Sequence, residues 1–208
     1  MNKFDAYKMD GLGNDFIIFD KREKPILLSK NQIKKISDRS HTGCDQVIFI
    51  AKDRSGDFFL EFYNSDGGET AACGNGSRCV ASLLMKENNE KKITLKTKFG
   101  ILKAELDNNN LIKINMGSPN FAWHKIPLVK KMDHKNLKIK IYSIEGKEVV
   151  GGFSLSVGNP HLIFFIDDLN EFDLNKIGPQ LENHNYFPER CNITLASIIN
   201  RKYIKVKV

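Results

Sequence analysis

Apolar residues recur along this chain in two rhythms. Ile17, Ile18 and Phe19 form a short continuous run after a glycine-rich turn, and residues 47–50 form another. Residues 58–63 add a third run, rich in aromatics. Short apolar runs bounded by turn residues predict strands. Residues 93–97 alternate apolar with polar, as do 101–106 and 111–116, and Asp107-Asn108-Asn109-Asn110 between the last two predicts a hairpin turn. Helical signals are fewer. Ser29-Lys30-Asn31-Gln32 reads as a capping box opening a helix that carries Ile33 and Ile36. A second helix is expected to begin near Ser77 and run to about Lys86, with Val80, Leu83 and Leu84 on it and no internal Gly or Pro. Its apolar residues occupy more than one side, which predicts burial.

Gly117-Ser118-Pro119 breaks the pattern, and a stretch rich in Pro and Lys follows to about Lys138. A domain boundary is expected near residue 118, dividing the chain into 1–118 and 119–208. Strands are predicted again over 139–144, 148–157 and 162–166, then a short helix over 174–183, then strands over 193–199 and 203–208. Both halves run as strand pairs, a turn rich in Gly and Asn, and further strand. No close sequence repeat accompanies this, so the order alone suggests a duplication. The last stretch alternates cleanly and stops on Val208 with its pattern still running, which predicts an open sheet edge there.

Composition narrows the class. Of 208 residues, 41% are hydrophobic, enough for a packed core and too many for a disordered chain. No apolar run reaches the ~20 residues that cross a bilayer, and Met1-Asn2-Lys3-Phe4-Asp5 leads into no long apolar stretch, so a secretory signal is not expected. The formal charge of +7 comes from lysines spread over the whole chain, with no basic run interleaved with aromatics. That reads as a solvated surface and points to neither nucleic acid nor membrane. The cysteines are Cys44, Cys73, Cys79 and Cys191. In a cytoplasmic protein they stay reduced, and the Cys73–Cys79 spacing, with no histidine nearby, is not that of a zinc site. Free thiols and no metal are expected.

The densest chemistry is Asn64-Ser65-Asp66-Gly67-Gly68 followed by Cys73-Gly74-Asn75-Gly76-Ser77-Arg78-Cys79. The second block is expected to be a loop entering the buried helix. Amides at a helix start favour an anion such as a carboxylate, and the same positive end would favour a thiolate at Cys73, letting it act as a base. A free cysteine is more often a small buried hydrophobe; the adjoining Gly-Asn-Gly, for which packing suggests no reason, argues otherwise for Cys73. Cys79, within the helix, reads as core, and Cys44 and Cys191 as structural. Further polar blocks stand at predicted strand ends: Gly11-Leu12-Gly13-Asn14-Asp15-Phe16, Gly43-Cys44-Asp45-Gln46, Gly158-Asn159-Pro160-His161 and Pro188-Glu189-Arg190-Cys191-Asn192. Singly, each is ordinary turn chemistry. Together, amide side chains around one thiol suit a small zwitterion.

These blocks, with Lys8-Met9-Asp10 ahead of the first, resemble diaminopimelate epimerase in order and spacing from residue 4 to the end of the chain. Cys-Gly-Asn-Gly-x-Arg-Cys is the most specific and Gly-Asn-Pro-His the next. The resemblance implies an α+β fold of two pseudo-symmetric domains, each of mostly antiparallel strands wrapped around a central helix, with the active site between them. It implies that Cys73 is one of two catalytic thiols, that His161 tunes them, that Asn14, Gln46, Asn64, Asn159 and Asn192 contact substrate, and that Gly74 and Asn75 hold its carboxylate. It implies interconversion of LL- and meso-diaminopimelate in lysine and cell-wall biosynthesis, without a cofactor; a homodimer stays open. Asp10 and His41-Thr42-Gly43 are small departures from the family pattern. A larger one is that members continue past a strand like residues 203–208 with a Glu-Arg-Gly block, a second cysteine loop and a returning strand. The second domain is therefore expected to be incomplete, and the chain expressed alone inactive and poorly soluble. An inactive relic, a partner subunit of the same fold and another two-thiol racemase or isomerase stay open as alternatives.

Overall fold

The computed structural model describes residues 4–53, 58–70, 73–98 and 100–208, so the first residues of the amino-terminal stretch considered above lie outside it. The chain divides into two compact units, Met1–Gly117 and Ser118–Val208.

In the first unit, strands β1 (Tyr7–Gly11) and β2 (Asn14–Asp20) form a hairpin, helix α1 (Lys30–Ser37) crosses over, and β3 (Gln46–Lys52) returns parallel to β2. Strand β4 (Phe58–Asn64) pairs antiparallel with β3, and the short β5 (Glu69–Thr70) pairs with β4. Helix α2 (Gly74–Asn88) leads into β6 (Lys92–Thr97), β7 (Gly100–Leu106) and β8 (Ile112–Asn115). The sheet order is β1-β2-β3-β4-β6-β7-β8, antiparallel except at β2–β3 and β4–β6.

The apolar runs of β2 and β3 are continuous because both faces of these strands are covered. Phe16, Ile18, Ile48 and Ile50 pack with Leu60 and Phe62 of β4 against Val80, Ala81 and Leu84 of α2. The alternate residues Ile17, Phe19, Val47 and Phe49 pack with Ile33 of α1 and Ile26. The capping box forms as expected: Ser29 Oγ accepts the Gln32 amide, and Gln32 Oε1 accepts the Ser29 amide. The hairpin over residues 107–110 also forms, with Asp107 Oδ1 accepting the Asn109 and Leu111 amides.

Helix α2 departs from the sequence reading. It begins at Gly74, three residues before Ser77, with Cys73 as its N-cap. The Gly-Asn-Gly segment is thus the first helical turn and not a loop. Packing supplies the reason that the sequence did not suggest. A Cβ on Gly76 would stand 2.6 Å from Ile48 Cδ1 and 3.1 Å from Phe16 Cε1, so only glycine lets the helix settle this close to the sheet.

The second unit holds β9 (Ile139–Tyr142), β10 (Glu148–Gly151), β11 (Phe153–Ser156), β12 (Pro160–Phe165), α3 (Leu174–Glu182), β13 (Asn192–Asn200) and β14 (Tyr203–Lys207). Strands β9 and β10 pair, and a four-stranded sheet runs β11-β12-β13-β14. The single strand expected over 148–157 is two. It breaks at Gly152, whose φ of +105° and close approach to Leu162 suit only glycine. Leu162, Phe164, Ile193 and Leu195 of the sheet pack with Ile139, Ile141, Leu169 and Leu181. The whole is an α+β fold. Among the described residues no helix is long and apolar enough to cross a membrane, and no cluster of His, Cys, Asp or Glu could hold a metal ion.

Candidate active site

The two-residue period of β2, β3 and β4 puts Asn14, Gln46 and Asn64 on the sheet face that packs against α2, beyond Phe16, Ile48 and Phe62. All three stand at the end where α2 begins. Gln46 pairs in register with both Phe16 and Asn64. Gln46 Nε2 donates to Asn64 Oδ1 at 2.9 Å. Its Oε1 is buried and has no hydrogen-bond partner among the described residues.

Cys73 adopts an extended backbone (φ −105°, ψ 121°), and its carbonyl accepts the Ser77 amide at 2.8 Å, the first bond of α2. Its Sγ–H donates to Asn14 Oδ1 at 3.5 Å. The leading amides of a helix have no partner within it, so the start of α2 beside this sulfur is suited to an anion. Gly74 has no side chain to obstruct that approach; the space its Cβ would take abuts Met116 Sδ. The Asn75 side chain is engaged along the helix, with Oδ1 accepting from Arg78 at 2.5 Å.

All four cysteines are free. Cys73 is half-exposed, whereas Cys44, Cys79 and Cys191 are 1%, 5% and 6% exposed. Burial raises all three of those thiols, Cys191 to about 12. In the core they behave as small hydrophobes.

In the second unit, β12 and β13 run parallel with His161 opposite Asn192. His161 Nε2 lies 3.1 Å from Asn159 Oδ1, and its carbonyl accepts from the buried Ser154 hydroxyl at 2.8 Å. Burial lowers the imidazole below its ordinary value. Asn192 Nδ2 donates to the Pro160 carbonyl at 3.3 Å. The structure therefore gathers the expected residues in two groups: Asn14, Gln46, Asn64, Cys73, Gly74 and Asn75 in the first unit, and Asn159, His161 and Asn192 in the second. A cavity of about 850 Å³ lies along β6, β7 and β8, and none of these residues lines it. Polar geometry, and not cavity size, marks the site.

One feature went unread in the sequence. Lys8, Asp15, Arg39 and Asp45 form a charged cluster directly behind Asn14. Asp15 is held well below the ordinary carboxylate range, first by its hydrogen bonds to Arg39, with burial opposing and Lys8 assisting. Nothing periodic announces such a cluster. Its only trace is a pair of aspartates flanking the amide residues.

The family model for diaminopimelate epimerase matches residues 6–122. A diaminopimelate epimerase of Pelagibacter ubique is 54% identical over 98% of this chain and 74% of its own length. One from Acidiphilium cryptum is 39% identical over 97% of this chain and 71% of its own. Among solved structures, a phenazine biosynthesis protein of the PhzF family from Bacillus anthracis aligns with a TM-score of 0.61 at 16% identity, over 99% of this chain and 71% of that one. A hydroxyproline epimerase from Agrobacterium vitis, solved with trans-4-hydroxy-L-proline, aligns with a TM-score of 0.56 at 12% identity, over 97% of this chain and 68% of that one. At such identities the structural likeness speaks for the fold alone.

Proposed function

The chain belongs to the diaminopimelate epimerase family, and from that premise we propose how its residues carry the reaction. The protein is an epimerase, and its substrate is diaminopimelate, interconverted between the LL and meso forms. Cys73 is one of two thiols that move the α-proton. As thiolate it takes the proton from one face of the α-carbon and becomes a thiol. A second thiol on the opposite face gives up its own proton and becomes a thiolate, so the centre inverts and the proton count is unchanged. Cys44, Cys79 and Cys191 do not suit the second role, because each is buried.

Electron density released at the α-carbon spreads into the adjoining carboxylate. The amides of Gly74 and Asn75 at the start of α2 are the groups we assign to hold it, since donors aimed at developing charge lower the barrier most. The side chains of Asn14, Gln46 and Asn64, with Asn159 and Asn192, contact the ammonium and carboxylate groups. His161, kept neutral by burial, adjusts the proton balance of the thiols. The proton passes directly between sulfur and carbon, with no cofactor in the scheme. Four unpaired thiols fit a reducing compartment, so we place the reaction in the cytoplasm, in lysine biosynthesis.

The observation that carries this reading is the position of Cys73: half-exposed, at the N-cap of α2, its sulfur against Asn14, while every other thiol is buried. Cys73→Ser should slow deuterium uptake at the α-carbon of LL-diaminopimelate in D₂O by at least ~10²-fold. A serine variant exchanging at the wild-type rate would remove Cys73 from the mechanism.

A further inference from the structure

A side-chain amide has two ends of nearly equal shape, so nothing intrinsic decides which end of Asn14 faces the Cys73 sulfur. The surroundings decide it. A carboxylate only accepts hydrogen bonds, and Asp45 Oδ2 sits 2.9 Å from Asn14 Nδ2. The end turned toward Asp45 must be the NH₂, which leaves the carbonyl for the sulfur at 3.5 Å.

Asp45 is itself held from several sides. Its Oδ2 also accepts the Asp15 amide at 3.0 Å, and its Oδ1 accepts from Arg39 at 2.7 Å. Its own amide donates to Asp15 Oδ1 at 2.9 Å. Arg39 grips Asp15 with both terminal nitrogens, at 2.7 and 2.8 Å. Lys8 joins Asp15 to the Gly43 carbonyl. The turn is built for this approach: a Cβ on Gly43, whose φ is +64°, would stand 2.8 Å from the Arg39 Cα. A bidentate Arg–carboxylate pair fixes direction as well as distance.

We propose that Asp45, braced by Arg39 and Asp15, is a positioning residue that locks the Asn14 amide with its carbonyl toward Cys73. This rests on the reading of Cys73 as the reactive thiol and deepens it. A carbonyl accepts from S–H and offers nothing to a thiolate, whereas an NH₂ donates to a thiolate. The lock therefore governs which protonation form of the sulfur its neighbour supports, and a free amide would support the other.

The test is the rate at which iodoacetamide, which reacts with the thiolate, labels Cys73 at pH 7, followed by peptide mass mapping. Asp45→Ala and the nearly isosteric Asp45→Asn should each raise that rate roughly fivefold, the worth of one hydrogen bond. In an Asn14→Ala background the same substitutions should change it by less than about twofold, because coupled residues lose their separate effects. Equal acceleration with and without Asn14, or no acceleration in variants that melt like wild type, would overturn the proposal. Should both variants unfold, wild-type NMR decides: the Asn14 Nδ2 group should show a coupling across its hydrogen bond to the Asp45 carboxyl carbon, and an Asn14 amide free of it refutes the lock. Failure of the Cys73 reading appears separately, as undiminished exchange by Cys73→Ser with the Asn14–Asp45 coupling intact.

Discussion

Gly76→Ala isolates the contact that seats the first turn of α2 against the sheet. The new Cβ would lie 2.6 Å from Ile48 Cδ1 and 3.1 Å from Phe16 Cε1. Both residues are 0% exposed, so neither ring nor methyl can swing into open space. Overpacking of a filled core costs about 1–3 kcal/mol. Alanine regains up to about 1 kcal/mol over glycine in a helix, less in its first turn. The net expectation is a loss of about 1–2 kcal/mol. With a urea m-value of about 1–3 kcal/mol/M, the midpoint should fall by roughly 0.3–2 M. Trp123, the sole tryptophan, is in the second unit, so the transition is better followed by pulsed alkylation of Cys79, which is buried in the same core as Phe16 and Ile48. Gly74→Ala is the control. Its Cβ meets only Met116 Sδ, the movable part of a half-buried side chain, and its stability should stay within about 0.5 kcal/mol of wild type. A Gly76→Ala midpoint at or above wild type would refute the packing account of this glycine.

Two titrations test the electrostatics. Burial holds His161 below its ordinary value of 6.5, so the folded protein binds its proton less readily than the unfolded chain. Stability from this group is present above pH 6.5 and declines as pH falls below it; the His161 ring-proton titration by NMR should have its midpoint under 6.5, and a midpoint at or above that contradicts the burial seen here. Asp15 is depressed from 3.8, first by its hydrogen bonds to Arg39. Its contribution is complete above the unfolded value and is lost as pH drops from about 5 through the carboxylate range. Asp15→Asn should be less stable than wild type at pH 7 and should lose less further stability between pH 7 and 3 in urea titrations; parallel losses would count against the cluster.

What the sequence made legible were features written in short range. Continuous apolar runs located β2 and β3, the capping box located α1, and Asp107 to Asn110 located the last hairpin of the first unit. The features it hid depend on contacts between distant segments. Helix propensity places the start of α2 at Ser77, because two glycines and an asparagine are poor helix formers; the fit of Gly76 against Phe16 and Ile48 carries it back to Gly74. Strand β1 is a largely exposed edge with a weak pattern. Its hairpin turns through Leu12 at a φ of 59°, where leucine is seldom found, so residue type alone marks only half of that turn. The candidate amides were visible as residue types beside turns, but the Arg39 bracing was not, since Arg39 lies in a turn 24 residues from Asp15 and nothing local in the sequence pairs the two.

The two units share a plan that no residue-by-residue likeness reveals. In each, a hairpin is followed by a helical crossover, a strand parallel to the second hairpin strand, and an antiparallel fourth: β1, β2, α1, β3, β4 in one, and β11, β12, α3, β13, β14 in the other. Phe16 faces Gln46 in the first parallel pair, and His161 faces Asn192 in the second. Asn14 and Asn159 therefore occupy matching places, two residues ahead of those pairings. A parallel pair brings the beginnings of two distant segments side by side, which is why amides far apart in sequence meet at one sheet end. The position ahead of the second amide differs, however. It is Asp45 in one unit, accepting from Asn14 Nδ2 while the Asn14 carbonyl faces Cys73, and the buried Cys191 in the other, where His161 contacts Asn159 instead. The scaffold sets where an asparagine stands, and neighbouring residues set which way its amide is turned.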